Sequence, residues 1–292
     1  MLGDRRAAYV SLLVVAVSFG GTWVAGKVAV ESIEPPTAAT ARFAVASLLL
    51  WTWARASGRR MPLPGLHDLP LVAGLGLTAV AGYNLCFLYG LQRAPATDGS
   101  ILVPGLIPVL TAATVWPLLD ERPTRRAALG LAVALAGLVL VVDPVGGIGT
   151  RRLEGDVLFV GAAVCWTLYT LLGRAATTRF DSVVANVYAT AAGALVLLPF
   201  SFAGAGWGGL AAAPFKAWAS VAYLAVFGTV VGFVLFYEGV RRIGAARTAA
   251  FTLLVPVFGV LGAVLLLGEA LRTGLAVGGA IVLVGLTLVQ RA

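Results

Sequence analysis

The residues best suited to bind a small solute fall in one apolar stretch of the sequence. Tyr83 and Phe87 are four positions apart and would share one face of a helix, and Asn84 follows Tyr83 directly. Aromatic faces hold cations or flat groups by stacking. An amide in apolar surroundings needs a partner, so we expect Asn84 to hydrogen-bond either to a neighbouring helix or to a ligand, and both interpretations stay open.

Two later stretches carry similar aromatic clusters. Trp166 and Tyr169 are three positions apart, and Phe233 and Tyr237 are four apart, which again places each pair on one helical face. Aromatic residues in apolar helices commonly pack against neighbours or lie at a membrane interface. Packing is therefore the ordinary interpretation of any single ring, and a pocket requires that the fold bring several together.

A few ionisable residues could form a gate or couple a process to proton movement. No Asp or Glu lies in the middle of a predicted helix, so Glu238, near a helix end, is the one candidate for proton coupling. If the chain is a carrier, this scarcity of acids within the helices favours a solute-driven facilitator or exchanger. Arg42 lies early in its helix, where it would either extend to lipid headgroups or form a gating ion pair with Glu31 or Glu34.

Pro108 and Pro256 also lie inside predicted helices. Proline removes a backbone N–H and interrupts the hydrogen-bond ladder, which leaves carbonyl groups that a solute can use. The alternative is a tolerated kink without a binding role.

The residue sets of enzymes and metal sites are missing. There is no HExxH motif, no aspartate pair within an apolar stretch and no serine beside a base, so we predict no catalytic residue. Cys86 and Cys165 fall in predicted helices and the lone histidine, His67, in a loop, so we expect neither a disulfide framework nor a metal site. We also predict no cofactor.

The composition indicates which elements must carry these residues. Of 292 residues, 60% are hydrophobic and only 12% are charged, which is about half the charged fraction of a soluble domain. The mean hydropathy is +0.95. A membrane helix needs about 20 apolar residues, and the near-continuous apolar runs exclude the alternating strands of a barrel. We predict an all-α integral membrane protein with ten spans, at 8–26, 38–54, 69–91, 98–118, 126–142, 156–173, 183–202, 217–239, 247–267 and 273–290.

The distribution of basic residues predicts the orientation. With the N-terminus in the cytoplasm, the cytoplasmic segments hold fourteen Lys and Arg residues and the opposite side holds six. This bias favours both termini inside. The net charge of +8 is explained in the same way and does not indicate a nucleic-acid partner. The first apolar run could pass as a signal peptide, but it has a counterpart in the second half, so we expect no cleavage.

The two halves of the chain resemble each other. Four pairs of residues share an offset of 148 positions, namely Pro108 and Pro256, Glu121 and Glu269, Gly130 and Gly278, and Gly137 and Gly285. We therefore predict two five-helix repeats, 1–145 and 146–292. An odd number of spans inverts the second repeat, and inverted repeats are the architecture of many secondary transporters. We interpret both glutamates as charges favourable at helix N-termini.

These features are similar to those of the drug/metabolite transporter superfamily, EamA type. The similarity covers essentially the whole chain and departs at Phe19, which stands where the second half has Trp166. The residues that carry it are Trp166, Gly90, Gly239, Pro108, Pro256, Glu121, Glu269, Gly130, Gly278, Gly137 and Gly285.

The resemblance implies a cavity between the halves, lined mainly by the third, fourth, eighth and ninth spans, with the first and sixth closing over it. Tyr83, Asn84, Phe87, Trp166, Tyr169, Phe233 and Tyr237 are the expected binding residues. It further resembles the exporters of aromatic and other neutral amino acids. The alternatives are export of cationic drugs or another metabolite, or a channel. We expect a monomer in the bacterial inner membrane.

Overall fold

The computed structural model describes residues 2–119, 124–142, 149–202, 204–243, 248 and 251–290, and no residue among them is in a β-strand. We number the long helices in chain order. They are α1 (Leu2–Val30), α2 (Pro35–Ala56), α3 (Leu69–Arg93), α4 (Ala96–Leu119), α5 (Arg125–Val142), α6 (Thr150–Thr177), α7 (Ser182–Leu197), α8 (Phe215–Ala225, Val226–Val231 and Gly232–Ile243), α9 (Leu254–Leu267) and α10 (Thr273–Gln290). Two short helices, Pro199–Phe202 and Gly206–Ala212, join α7 to α8.

The predicted class, an all-helical membrane protein, is confirmed. Within the described ranges, eight helices are long and apolar enough to cross a membrane, and α9 is a shorter apolar helix. The remaining long helix, α2, has 22 residues but includes Thr37, Thr40 and Arg42, which lower its hydropathy. The count of ten spans therefore stays a prediction.

Acidic side chains satisfy the N-termini of two helices. The Glu269 carboxylate accepts hydrogen bonds from the backbone N–H groups of Ala96 and Thr97, at 2.7 and 2.9 Å. Glu269 thus acts on a helix N-terminus, as predicted, but on that of α4 and not on the helix that follows it. At α7, the Asp181 side chain accepts from the N–H of Val183.

Helices α3 and α8 each contain a π-helical segment, at Gly76–Gly82 and Val226–Val231. A π turn displaces carbonyls from the α-helical ladder, and nearby side chains meet them here. The Asn84 amide donates to the Ala79 and Val80 carbonyls, at 3.1 and 2.9 Å. The Thr229 hydroxyl donates to the Leu224 carbonyl at 3.0 Å. These two polar residues stabilise the irregular segments that face the middle of the bundle.

Glycines allow α5 and α10 to pack closely. A Cβ atom added at Gly130 would lie 2.7 Å from the Gly285 carbonyl oxygen, and one at Gly137 would lie 2.7 Å from that of Gly278. The helices run antiparallel, because the earlier glycine of α5 meets the later one of α10. We call these four residues the glycine seam. Small residues at such contacts let membrane helices associate backbone to backbone.

Helices of the two predicted halves pack against each other throughout. The first helix of the first half, α1, contacts α8 and α9, and the first helix of the second half, α6, contacts α3 and α4. In the same way α2 packs on α7, and α5 on α10. The space left between these pairs is the cavity described below.

Candidate functional site

A cavity of about 380 Å³ lies among the helices. Its volume is within the range of about 300–1,000 Å³ typical of small-molecule sites, at the lower end. Side chains from α1, α2, α3, α4, α6, α7, α8, α9 and α10 line it. Most of them are apolar or aromatic, so a solute of modest size with an apolar part fits the lining.

Aromatic side chains form a continuous wall. The Tyr83 ring stacks on Phe87, with centroids 5.8 Å apart, and lies 5.1 Å from the ring of Trp166. Trp166 in turn packs edge-to-face on Tyr169 at 5.4 Å. Trp23 meets Phe87 at 4.9 Å. We call these five rings the aromatic wall, and their separations are those of favourable aromatic pairs.

The polar part of the lining is centred on Arg42. This side chain is buried, with 7% exposure, and projects from α2. Its guanidinium donates to the Asn84 side-chain oxygen at 3.0 Å and to the Thr229 hydroxyl at 3.2 Å. Arg42 therefore bridges the π-helical segments of α3 and α8, because Asn84 follows the first and Thr229 lies in the second.

A second polar group belongs to α7. The Tyr169 hydroxyl donates to the Asn186 side-chain oxygen at 2.9 Å, and the Asn186 amide donates to the Ser182 carbonyl. Thr190, one turn further along α7, also lines the cavity. These groups orient one edge of the aromatic wall.

The structure brings most of the predicted site residues together. The cavity is lined by Tyr83, Asn84, Phe87, Trp166, Tyr169, Phe233, Arg42, Pro108 and Pro256. The side chain of Tyr237 lies outside the described part of the structure. Glu238, the predicted coupling residue, is not on this lining and forms an ion pair with Arg242 at 2.5 Å.

The expected surroundings of Arg42 are wrong. The side chain does not reach lipid headgroups, because the first turns of α2 are buried within the protein. Glu31 pairs with Lys216 at 2.8 Å and not with Arg42. A position early in the helix predicts a side chain near the membrane surface, but tertiary packing decides the exposure of Arg42.

The two prolines act differently from a simple helix break. Helix α4 continues through Pro108, although this residue has no N–H to donate to the Pro104 carbonyl. Pro256 lies in the first turn of α9, which begins at Leu254. No intrahelical donor is lost there, since the first N–H groups of a helix have no intrahelical acceptor.

Sequence reasoning missed the contributions of α2, α7 and α10. Phe43, Asn186 and Thr190 line the cavity, as do Leu286 and Gln290 near the end of α10. Asn186 carried a usable signal, because an amide inside an apolar stretch needs a partner. The aliphatic residues of α10 carried none, because their type and spacing are those of ordinary packing residues.

One end of the bundle holds a buried ion-pair cluster. Asp98 is fully buried, and its carboxylate accepts from Arg152 at 2.8 Å and also from Arg272. Asp156 is 3% exposed, and its nearest cation is Arg152, at 4.0 Å. We call these four residues the buried ion cluster. Lys27 lies at the same end and donates to the Ala94 carbonyl, at the end of α3.

The opposite end carries more exposed ion pairs. Arg59 donates to Asp181 at 2.6 Å, and Arg179 donates to Asp68 at 2.8 Å. The hydrogen bond from Arg179 holds the pKa of Asp68 below its ordinary value. Helix α10 starts next to Arg272, at the buried ion cluster, and ends at Gln290, at the opposite end of the bundle. Because Gln290 lines the cavity, the cavity extends toward the end with the more exposed ion pairs.

Comparison with known proteins agrees with these features. The model of the EamA-like transporter family matches this chain twice, over residues 6–143 and 153–291. The uncharacterized transporter YyaM of Bacillus subtilis is 28% identical over 258 residues, which cover 85% of this chain and 82% of that protein. A probable terminal-alkyne amino-acid exporter of Streptantibioticus cattleyicolor is 29% identical over 96% of this chain and 92% of its own length.

The fold also has a solved counterpart. One crystal structure of another protein aligns with a TM-score of 0.66 over 97% of this chain and 96% of that chain, at 20% sequence identity. Together with the apolar helices, the two family matches identify a multi-pass membrane protein whose relatives are named transporters. The chain belongs to the EamA-like transporter family of the drug/metabolite transporter superfamily.

Proposed function

We propose that this protein exports amino acids with aromatic or other neutral side chains across the bacterial inner membrane by alternating access. The observation that carries the proposal is the cavity of about 380 Å³ between the two predicted halves, whose lining combines the aromatic wall with Arg42. A rigid aromatic lining with few polar groups suits a small solute that carries an apolar side chain.

The contacts between helices support an inverted repeat of 1–145 and 146–292. The repeat aligns Gly130 with Gly278 and Gly137 with Gly285, yet the structure pairs Gly130 with Gly285 and Gly137 with Gly278. Such cross-pairing arises when a two-fold axis passes between equivalent helices. The two π-helical segments, which begin 150 positions apart, support the same relation. The proposed boundary falls outside the described residues.

Alternating access needs two arrangements of similar energy, and an inverted repeat provides them by exchanging the roles of the halves. With ten spans and both termini in the cytoplasm, the end of α10 faces the cytoplasm. The cavity reaches Gln290 at that end and stops short of the buried ion cluster at the other. We therefore propose that this structure is in the inward-facing state, and we expect the carrier to work as a monomer.

The choice of substrate rests on the lining and on one relative. The Streptantibioticus cattleyicolor protein is named a probable amino-acid exporter, although other relatives carry no substrate in their names. Export of cationic drugs is the alternative, and the buried positive charge of Arg42 in the lining weighs against it. A channel is a second alternative. The buried ion cluster disfavours it, because the cavity stops short of that end and leaves no continuous path through the described part of the protein.

Counterflow in proteoliposomes tests the proposal. Vesicles loaded with unlabelled L-phenylalanine should accumulate labelled L-phenylalanine transiently, and uptake should saturate. Imposing a pH gradient should change the rate little if the carrier is a facilitator or exchanger. Linear, unsaturable flux would instead identify a channel, and strict dependence on the pH gradient would contradict the facilitator.

Variants of the aromatic wall localise the site. Tyr83→Ala or Trp166→Ala should weaken binding of L-phenylalanine by about tenfold, because each removes a stacking surface. Trp51→Ala is the matched control, since that ring is 44% exposed on the outside of α2. Unchanged affinity in both wall variants would mean that the solute binds elsewhere.

A further inference from the structure

Arg42 differs from the other arginines that the structure describes. It is the only one of them that is buried, with 7% exposure. The partly exposed arginines Arg59, Arg152, Arg179 and Arg272 each have an aspartate partner. For Arg42, no carboxylate of a described residue lies within the 4.0 Å of an ion pair, and its hydrogen-bond acceptors are all neutral.

The neutral acceptors hold the guanidinium in place. Its Nη1 donates to Asn84 at 3.0 Å, its Nη2 to Thr229 at 3.2 Å, and its Nε to the same hydroxyl at 3.3 Å. The ring of Phe43 lies 4.7 Å from the guanidinium carbon. These contacts set the orientation of the planar group but leave its charge uncompensated.

The charge faces the cavity. Arg42 lines it together with Tyr83 and Asn84, and the described residues of the lining include no Asp or Glu. A solute in this cavity therefore meets one fixed positive charge and no fixed negative charge from that part of the chain. A guanidinium that is already oriented matches a carboxylate, because its parallel N–H groups can pair with two oxygens.

We infer that Arg42 binds the carboxylate of the transported solute, and that this contact makes the cavity selective for acids. The inference rests on the proposed function, because it places the carboxylate of the amino acid at α2 and its side chain on the aromatic wall. Within the described part of the lining, the ammonium group meets aromatic faces and neutral oxygens. The affinity of the cavity for a solute should therefore depend strongly on the carboxylate of the solute and weakly on its ammonium group.

An analogue series on the unmodified protein tests this ranking. L-Phenylalanine, L-phenylalaninamide and 3-phenylpropionate share one ring and differ in one charged group each. By equilibrium binding in detergent, the amide should bind about 10- to 100-fold more weakly than phenylalanine, the loss expected for a hydrogen-bonded charge pair. Phenylpropionate should lose less than tenfold. Equal affinity for phenylalanine and its amide would overturn the inference.

Variants tie the discrimination to one residue. In Arg42→Gln the affinities for the acid and the amide should come within about threefold of each other. Arg42→Lys keeps the positive charge but loses the paired N–H donors of the guanidinium, so its preference for the acid should lie between those of Arg42→Gln and the unmodified protein. Arg60→Gln is the matched control, because Arg60 is exposed in the loop after α2 and its loss removes the same charge. If Arg42→Gln does not fold, the Arg42→Lys variant and the analogue series still decide. A full preference for the acid in Arg42→Lys and Arg42→Gln would overturn the assignment.

The outcomes separate this inference from the proposed function. Arg42-dependent binding of phenylpropionate without any binding of phenylalanine would refute amino-acid export and retain the carboxylate site. Transport of phenylalanine with equal affinity for its amide would retain the exporter and refute the site.

Discussion

At one end of the helix bundle, Asp98 is fully buried and holds two arginines; at the other, Asp181 pairs with Arg59 while both side chains stay about a third or more exposed. The ions are of the same chemical types, but their surroundings differ. Buried charges that lose a partner keep the full cost of desolvation, whereas exposed ones are solvated by water. The cavity does not reach the end that holds the fully buried Asp98, so we associate the buried ion cluster with closure of the cavity at that end.

The comparison is tested most strongly by Asp98→Asn. The substitution leaves Arg152 and Arg272 without their shared carboxylate, and we expect the free energy of unfolding to fall by about 3 kcal/mol, the lower end for a buried pair, because both arginines keep some solvent access. Denaturant titration in detergent measures this loss. The same variant should also open the cavity at this end. A cysteine engineered into the cavity lining should then react faster with a labelling reagent added on this side. A loss no larger than that of an exposed pair would remove the distinction between the two ends.

The glycine seam tests whether helix packing holds the buried ion cluster together. In Gly137→Ala the new Cβ would lie 2.7 Å from the Gly278 carbonyl oxygen, so α10 must shift and carry Arg272 with it. We expect a destabilisation of about 1–3 kcal/mol. Gly173→Ala is the control, because among the described residues no atom outside its own helical turns lies within 4 Å of its added Cβ. Equal stabilities of the two variants would show that the seam can relax.

Asp181→Asn probes the exposed end. Asparagine still accepts the hydrogen bond from the Val183 N–H, so only the ion pair with Arg59 is lost. We expect the free energy of unfolding to change by less than about 1 kcal/mol. The same denaturant titration applies. A loss equal to that of Asp98→Asn would contradict the comparison.

The smallest expected effect concerns acid. The bond from Arg179 lowers the pKa of Asp68, so the folded state favours the ionised carboxylate. The resulting stability is present above the unfolded-state pKa and is lost as the pH falls through the folded-state pKa. Melting temperatures of the unmodified protein and Arg179→Gln should therefore differ by a constant amount above about pH 5 and converge in stronger acid, given an ordinary Asp pKa near 3.9. Failure to converge would assign the difference to another contact of Arg179.

Hydropathy alone located the helices well, because continuous apolar runs leave few alternatives in a membrane. The aromatic spacings also predicted two pairs of the wall, Tyr83 with Phe87 and Trp166 with Tyr169, since residues three and four apart share a helix face wherever the helix packs. They did not predict Trp23, the fifth ring. The surroundings of Arg42 could not be predicted in this way. Its burial depends on α3 and α8, which lie far from it in sequence and contact it through Asn84 and Thr229.

The buried ion cluster shows a second limit. Asp98 and Asp156 stand at the starts of predicted spans, where a sequence reading expects solvent. In the structure both are buried, because Arg152 from α6 and Arg272 from the segment before α10 meet beside them. No local pattern reports such a meeting, since each partner comes from a different part of the chain.

The π-helical segments separate the facing of the aromatic wall from the number of residues that precede it. A π turn holds one residue more than the α-helical path between the same two points, and one residue corresponds to about 100° of rotation in an α-helix. Deleting one residue between Gly76 and Gly82 would therefore restore a regular α-helix and leave Tyr83 and Phe87 facing as before. The same deletion in the α-helical turns ahead of Gly76 would turn both rings by more than a quarter of a circle. What the extra residue provides is the pair of carbonyls at Ala79 and Val80 that the Asn84 amide binds.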